Sequence, residues 1–273
     1  MMLLGIMGDR RVAHSLSPAM HAAVMERLGV AGVYLPFAVE PRDLPAAVAG
    51  LAALGFAGAN VTVPHKEAVA ALVDELAGEA RAVGAVNTIV RQGRRLVGHN
   101  TDVAGFRTAL AAAGFDPRGR QALVFGAGGA ARAVVRALVA GGTAQVWIAA
   151  RSGDRARRLA ARVGGRAAGL SRAPVLAAEA ALVVNATSVT APDEGPELAR
   201  LVEGLAGACR AELVVDLNYG RAQSIWAELA AAAGATHQDG LTMLAAQARA
   251  GFALWTGREV PLAWFQEALE AAR

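Results

Sequence analysis

The 273-residue chain contains one cysteine, Cys209, and one lysine, Lys66, and only 5% of its residues are aromatic. A lone cysteine excludes an intramolecular disulfide framework and a cysteine-based metal cluster, so no metal site is expected. It also fits a reducing compartment, and a cytoplasmic location is expected. No hydrophobic run reaches the length of a membrane span: the least polar stretch, residues 44–59, is rich in Ala and interrupted by Gly50 and Gly55. The N-terminal run puts apolar residues before its charges, the reverse of a secretory signal. A strong charge of one sign is missing too, because 27 basic residues face 23 acidic ones for a net +4. The one basic cluster, Arg151, Arg155, Arg157, Arg158 and Arg162, reads as a local site followed by a solvated helix face rather than a nucleic-acid stripe. Neither nucleic acid nor a membrane is therefore expected as a partner; a small molecule is expected on the motifs that follow, and composition leaves monomer or homodimer open.

What is present is a globular composition, 55% hydrophobic with 31 glycines, at a length that favours two domains. Short apolar runs alternate with Ala-rich helical segments, the pattern of sheets covered by helices. Residues 2–7, 34–39 and 59–63 read as strands, residues 86–91 and 95–98 as a hairpin, giving four or five strands before residue 100. Ser17 reads as an N-cap with Pro18 at N1, opening a helix to about residue 28, and residues 43–54 form a second helix. Further on, residues 122–125, 145–149, 182–185 and 213–217 read as strands of one sheet, a unit that closes near His237. The helix from Leu241 onward is left over and is expected to pack on the first domain.

After the strand at 122–125 comes Gly126-Ala127-Gly128-Gly129-Ala130-Ala131, opening a helix. In that setting Gly126 permits the tight turn, Gly128 lets backbone approach a pyrophosphate, and Ala131 lets the helix lie close to the strand. N–H groups at the helix start then face the phosphates. The next strand ends in Ala149-Ala150-Arg151-Ser152, with Arg155 one helical turn on, and the only nearby acid, Asp154, lies further into the loop than an acid that holds a ribose 2′-hydroxyl. Arginine forks and a hydroxyl suit a 2′-phosphate, which favours NADP, with NAD possible.

Lys66 stands out because arginine supplies positive charge everywhere else. A lysine is required where an ammonium must give up a proton, which arginine does not do. It follows Asn60-Val61-Thr62-Val63-Pro64-His65, just past a strand end, where α/β sheets place ligands. Other polar islands recur at junctions: His14-Ser15-Leu16-Ser17, Ala85-Val86-Asn87-Thr88, Asn100-Thr101-Asp102 and Gly240 through Gln247. Asp102 could simply cap the helix after it, and Asn87 could be satisfied in a turn. Together, however, these groups could hold a small polyhydroxylated anion.

In order and over nearly the whole chain, these segments, with Asn185-Ala186-Thr187-Ser188, Asp216 and Tyr219, and Asp239-Gly240, resemble the shikimate dehydrogenase family. The resemblance implies reversible NADPH-dependent reduction of 3-dehydroshikimate to shikimate, in aromatic amino acid biosynthesis by way of chorismate. It implies that Lys66 and Asp102 form the catalytic pair. Ser15 and Ser17 would hold the substrate carboxylate, and Thr62, Asn87, Tyr219 and Gln247 would bind substrate, with Asn60 in the same set and structuring its strand. Gly126, Ala127, Gly128, Gly129, Ala130, Ala131, Arg151, Ser152, Arg155, Thr187, Ser188 and Gly240 would bind cofactor.

The chain departs from the family pattern at Ala150, usually asparagine, at Val189-Thr190-Ala191, where glycine and methionine are common, and at Val103, often glycine. No departure removes a catalytic group. The expected fold is α/β in two domains, a substrate-binding domain over residues 1–103 and 239–273 and a Rossmann-like NADP-binding domain with a parallel sheet over residues 104–238. Two alternatives are an NAD-preferring quinate/shikimate dehydrogenase and a catalytically weak dinucleotide- and ligand-sensing protein.

Overall fold

The first apolar run forms β1 (Met2–Gly8) in a computed structural model that describes residues 1–221 and 223–273. After it come α1 (Ser17–Arg27), β2 (Gly32–Ala38), α2 (Leu44–Ala53), β3 (Gly58–Val61), α3 (Lys66–Val69), β4 (Glu75–Leu76), α4 (Glu79–Val83), β5 (Thr88–Gln92), β6 (Arg95–His99) and α5 (Asp102–Ala112). These six strands make one mixed sheet in the order β2-β1-β3-β5-β6-β4. The pairs β3 with β5 and β5 with β6 run antiparallel, and the others run parallel. Central β3 is buried along its whole length, and α2 covers the sheet with Leu44, Val48 and Leu51, spaced to share one helix face.

Register decides where the polar islands go. Met7 pairs with Val61, Asn60 with Thr88, and Thr88 with His99. The C-terminal ends of β1, β3 and β6 and the start of β5 therefore share one edge of the sheet, and the loops carrying Ser15, Thr62, Lys66, Asn87 and Asp102 leave from it.

Three sequence expectations change here. Six strands precede residue 100 instead of four or five, because β4 is only two residues long and shows no periodicity. The strand expected over 59–63 stops at Val61, so Thr62 lies just beyond it. Ser17 is not the N-cap: Leu16 takes that position in helical backbone and its carbonyl accepts the first ladder bond from Met20 N–H. The turn Arg10–His14 runs into α1 so closely that the helix starts one residue early, leaving Ser17 in the first turn.

The second sheet is built from β7 (Gln121–Phe125), α6 (Gly129–Ala140), β8 (Gln145–Ala149), α7 (Gly153–Val163), β9 (Arg166–Ala168), α8 (Ala173–Glu179), β10 (Leu182–Asn185), α9 (Pro196–Glu203), β11 (Leu213–Asp216), α10 (Ile225–Ala233) and β12 (Thr236–Gln238). All its pairings are parallel. Read from β9, the strand order is the 3-2-1-4-5-6 arrangement of a doubly wound dinucleotide-binding sheet. The order reverses between β7 and β10, and the glycine segment follows β7. Strands β9 and β12 are edges of three residues each, too short to show a hydrophobic run in the sequence.

The chain ends with α11 (Leu241–Thr256) and α12 (Leu262–Ala271). Two units result, Met1–Gly105 with Leu244–Arg273 and Phe106–Met243. In the first, His21 of α1 stacks on Tyr34 of β2 with ring centroids 4.3 Å apart and planes 10° off parallel. Phe252 and Trp255 from α11 and Phe265 from α12 surround the same imidazole. Among the described residues no helix is long and apolar enough to cross a membrane.

Candidate active site

The turn after β3 and the start of α5 bring the single lysine to a carboxylate. Lys66 Nζ donates to Asp102 Oδ2 at 2.8 Å, with the two side chains 14% and 5% exposed. Asn87 Nδ2 donates to Asp102 Oδ1 at 2.8 Å. Both carboxylate oxygens are thus engaged by side chains, and Asp102 is the first residue of α5. Its place in the first turn of α5 also sets a negative charge at the positive end of the helix. Gln247 joins from α11, its Oε1 3.3 Å from Asn87 Nδ2 while its own Nε2 donates to Leu244 O at 3.0 Å.

The turn that leads into Lys66 is anchored by His65. The His65 Nε2 lies 2.8 Å from Val39 O, and a carbonyl only accepts, so Nε2 carries the hydrogen. This buried ring ties the turn to the end of β2. Asn60, counted with the substrate contacts from sequence, has its polar atoms engaged inside the protein: Oδ1 accepts from Tyr34 Oη at 2.6 Å, and Nδ2 donates to Asn87 O at 3.0 Å and Thr88 Oγ1 at 3.1 Å. That geometry favours its strand-structuring role.

Ser15 and Ser17 flank the start of α1. The Ser17 N–H donates to Ser15 Oγ at 3.2 Å, and no acid occupies the first helical turn. Two hydroxyls at a helix N-terminus whose N-cap residue, Leu16, offers no capping side chain suit an anion such as a carboxylate. Half-buried Thr62 is fixed by backbone bonds, its N–H to Met7 O at 2.8 Å and its O from His65 N–H at 2.9 Å.

In the second unit the glycine segment lies between the ends of β8 and β10. Gly126 N–H donates to Ala149 O at 2.9 Å, and Ala186 N–H donates to Phe125 O at 2.8 Å. Gly126 has φ +114, and a Cβ there would lie 2.7 Å from Ala186 O, so a side chain is excluded on two grounds. A Cβ on Gly128, by contrast, would point into open space, leaving the backbone approachable. Gly128 caps α6 without a side-chain bond, the first turn of Gly129, Ala130 and Ala131 carries no acid, and Ala131 is fully buried against the sheet along with most of Ala127.

At the end of β8, Arg151, Ser152 and Arg155 are exposed, and Ser152 Oγ accepts from Arg155 N–H at 3.3 Å as N-cap of α7. The nearby acid, Asp154, is paired with Arg157. These residues fit a dinucleotide whose pyrophosphate meets the start of α6 and whose 2′-phosphate meets the arginines.

The loops after β10 and β11 are tied together by a buried carboxylate gripped by amides and hydroxyls. Asp216 Oδ1 accepts from Asn185 Nδ2 at 2.8 Å, Asn218 N–H at 3.0 Å and Asn218 Nδ2 at 2.9 Å. Its Oδ2 accepts from Thr190 Oγ1 at 3.2 Å and Ser224 Oγ at 3.3 Å. The Thr187 hydroxyl donates to Asn185 Oδ1 at 2.7 Å and accepts from Val189 N–H at 3.1 Å, so it shapes the loop, while Ser188 is exposed. Burial pushes the Glu194 carboxyl up, but the N–H groups of Thr190 and Ala191 and the Arg221 guanidinium outweigh it, and the net shift is downward. Tyr219 is half-buried in the loop after β11. Gly240 N–H donates to Asn218 O at 3.0 Å, and a Cβ on Gly240 would meet Leu217 O at 2.1 Å.

Sequence reasoning passed over Tyr34, Thr88 and Thr101. Thr101 N–H donates to Asn87 Oδ1 at 2.7 Å and so fixes the Asn87 amide. Thr88 and Thr101 stood inside the recognised motifs, and their buried hydroxyls at the sheet edge were the available signal. Tyr34 had none beyond its strand.

Comparison with known proteins gives a consistent family. Models described as shikimate dehydrogenase substrate binding domain, shikimate / quinate 5-dehydrogenase, and shikimate 5'-dehydrogenase C-terminal domain match residues 6–89, 109–232 and 240–270. A shikimate dehydrogenase (NADP(+)) of Geobacter metallireducens is 44% identical over 272 residues, covering 95% of this chain and 92% of the relative. The Thermus thermophilus shikimate 5-dehydrogenase, solved with NADP(H) and shikimate, is 40% identical with a TM-score of 0.86 over 100% of both chains. A quinate dehydrogenase from Corynebacterium glutamicum, solved with NAD, is 30% identical with a TM-score of 0.85 over 99% of both. On its sequence, its two sheets and these matches, the chain belongs to the shikimate dehydrogenase family.

Proposed function

We propose that the protein catalyses the reversible NADPH-dependent reduction of 3-dehydroshikimate to shikimate, the step toward chorismate and the aromatic amino acids, in the cytoplasm. The observation that carries this reading is the Lys66–Asp102 pair, held by Asn87 beside Gln247, in a chain that otherwise uses arginine for positive charge. The domain assignment proposed is residues 1–103 with 239–273 for substrate and 104–238 for cofactor.

When bound, NADPH supplies the hydride. Residues Gly126 to Ala131 would receive its pyrophosphate, and Arg151, Ser152 and Arg155 its 2′-phosphate, with Thr187, Ser188 and Gly240 lining the remainder. Ser15 and Ser17 hold the substrate carboxylate at the start of α1, and Thr62, Asn87, Gln247 and Tyr219 orient the ring hydroxyls. Lys66 gives its proton to the oxygen at carbon 3 as that atom gains negative charge, and takes it back in the reverse direction. Asp102 orients the ammonium and balances its charge. Fixed placement of these groups supplies much of the acceleration.

The test is steady-state kinetics with shikimate and quinate against NADP+ and NAD+. The highest kcat/KM is expected for shikimate with NADP+. Ala150 and the likeness to an NAD-bound quinate dehydrogenase favour a second reading, and a higher kcat/KM for quinate with NAD+ would establish it. No turnover with any pair would leave a dinucleotide- and ligand-sensing protein.

A further inference from the structure

We infer that Tyr34 is a positioning residue for Asp102, acting through a head-to-tail chain of buried side-chain hydrogen bonds. The links run from Tyr34 Oη to Asn60 Oδ1 at 2.6 Å, from Asn60 Nδ2 to Thr88 Oγ1 at 3.1 Å, from Thr88 Oγ1 to Asn87 Oδ1 at 3.1 Å, and from Asn87 Nδ2 to Asp102 Oδ1 at 2.8 Å. All five residues are at most 5% exposed.

The direction of the two amide links follows from groups that can play only one part, and that of the hydroxyl link from its shorter contact. Asn60 Nδ2 faces the Asn87 carbonyl, which only accepts, so the Asn60 oxygen faces Tyr34 and the phenol must donate. Asn87 Oδ1 faces the Thr101 N–H, which only donates, so its Nδ2 faces the carboxylate. The Thr88 hydroxyl accepts from Asn60 Nδ2, and its one hydrogen is assigned to Asn87 Oδ1 at 3.1 Å, the nearer of two acceptors, the other being the Thr101 hydroxyl at 3.3 Å. Each amide accepts on its oxygen and donates from its nitrogen, so polarisation adds along the chain and ends on Asp102.

The far end is held rigidly. The Tyr34 ring stacks on His21 inside the aromatic cluster of the first unit. The near end has a consequence for Lys66: the bond at Oδ1 restrains rotation of the carboxylate and favours keeping Oδ2 toward the ammonium. Tyr34 touches neither substrate nor cofactor in this scheme, and because the chain ends on Asp102 its influence falls chiefly on kcat. The inference rests on the reading of Lys66 and Asp102 as the proton-exchanging pair.

The experiment is a double-mutant cycle on the full chain, with kcat and KM measured for shikimate and NADP+. Tyr34→Phe is expected to lower kcat roughly three- to tenfold while each KM stays within about twofold. In an Asp102→Asn background the same substitution should change kcat by less than about 1.5-fold, since the charge on which the chain ends is gone. Equal factors in both backgrounds, or a loss confined to KM, would overturn the inference while leaving the catalytic pair intact. Asp102→Asn turning over at the wild-type rate would instead sink the catalytic reading and this inference with it. A second pair of variants guards against a misfolded Tyr34→Phe: Thr88→Val breaks the chain and should lose kcat by a similar factor, and Thr88→Ser should restore it. Equal kcat for the two Thr88 variants would overturn the inference.

Discussion

Lys66 and Asp102 stand 2.8 Å apart, 36 residues distant in sequence, at the one sheet edge where the polar loops converge. In the proposed reaction the lysine must part with a proton, and that demand separates it from the 26 arginines that make up the other basic residues. Lys66→Ala is expected to lower kcat by roughly a hundred- to ten-thousandfold with a much smaller change in the KM for shikimate. Lys66→Arg should be nearly as poor, because the charge survives and the exchangeable proton does not. Steady-state kinetics checks both, and an arginine variant near the wild-type rate would reduce Lys66 to an electrostatic role.

Arg151 is exposed at the end of β8, where an NAD-specific site would carry an acid. If its guanidinium reads the 2′-phosphate, Arg151→Ala should raise the KM for NADP+ by roughly ten- to a hundredfold and that for NAD+ by no more than about twofold. Equal effects on the two cofactors would remove Arg151 from the phosphate site.

Asp216 collects donors from Asn185, Thr190, Asn218 and Ser224 on both loops of the dinucleotide unit. Asp216→Ala strands several of them at once, and a loss of roughly 3 kcal/mol in urea unfolding is expected. Thr190→Gly, which installs the residue common in the family, removes a single donor and should cost about 1 kcal/mol. A Thr190→Gly variant as unstable as Asp216→Ala would show that the threonine, not the carboxylate, holds the loops.

Much of this architecture was legible in the chain because it rests on local signals. Apolar runs marked the buried strands, and Gly126 through Ala131 marked the turn whose φ of +114 only glycine adopts readily. The motif residues Lys66, Asn87, Asp102 and Gln247 were named from sequence, and the fold brings them together. What stayed hidden depends on partners far away in sequence. Ser17 looked like an N-cap because its type and the following proline fit, but the preceding turn moved the helix start to Leu16. Edge strands β4, β9 and β12 bury too little to need a hydrophobic pattern. The part played by Tyr34 exists only once β2 lies in one sheet with β3 and β5.

His21 offers a pH test of the first unit. Complete burial pushes its imidazole well below the ordinary value of 6.5, to about 3, and both ring nitrogens lack a hydrogen-bond partner. Above the ordinary value the ring is neutral in folded and unfolded chains alike, so it has no pH effect there. As pH falls below 6.5 the unfolded chain takes up a proton that the folded ring refuses, and stability drops until pH reaches about 3, where the folded ring also protonates. Between about pH 7 and pH 5 this one group should remove about 2 kcal/mol. His99, whose imidazole is also lowered chiefly by burial, is common to both proteins in a comparison with His21→Phe. Phenylalanine keeps a ring against Tyr34 and gives up no hydrogen bond, so the variant should show a shallower acid loss by that amount in urea unfolding at the two pH values. Identical pH slopes for wild type and His21→Phe would mean that the buried imidazole takes up its proton in the folded state.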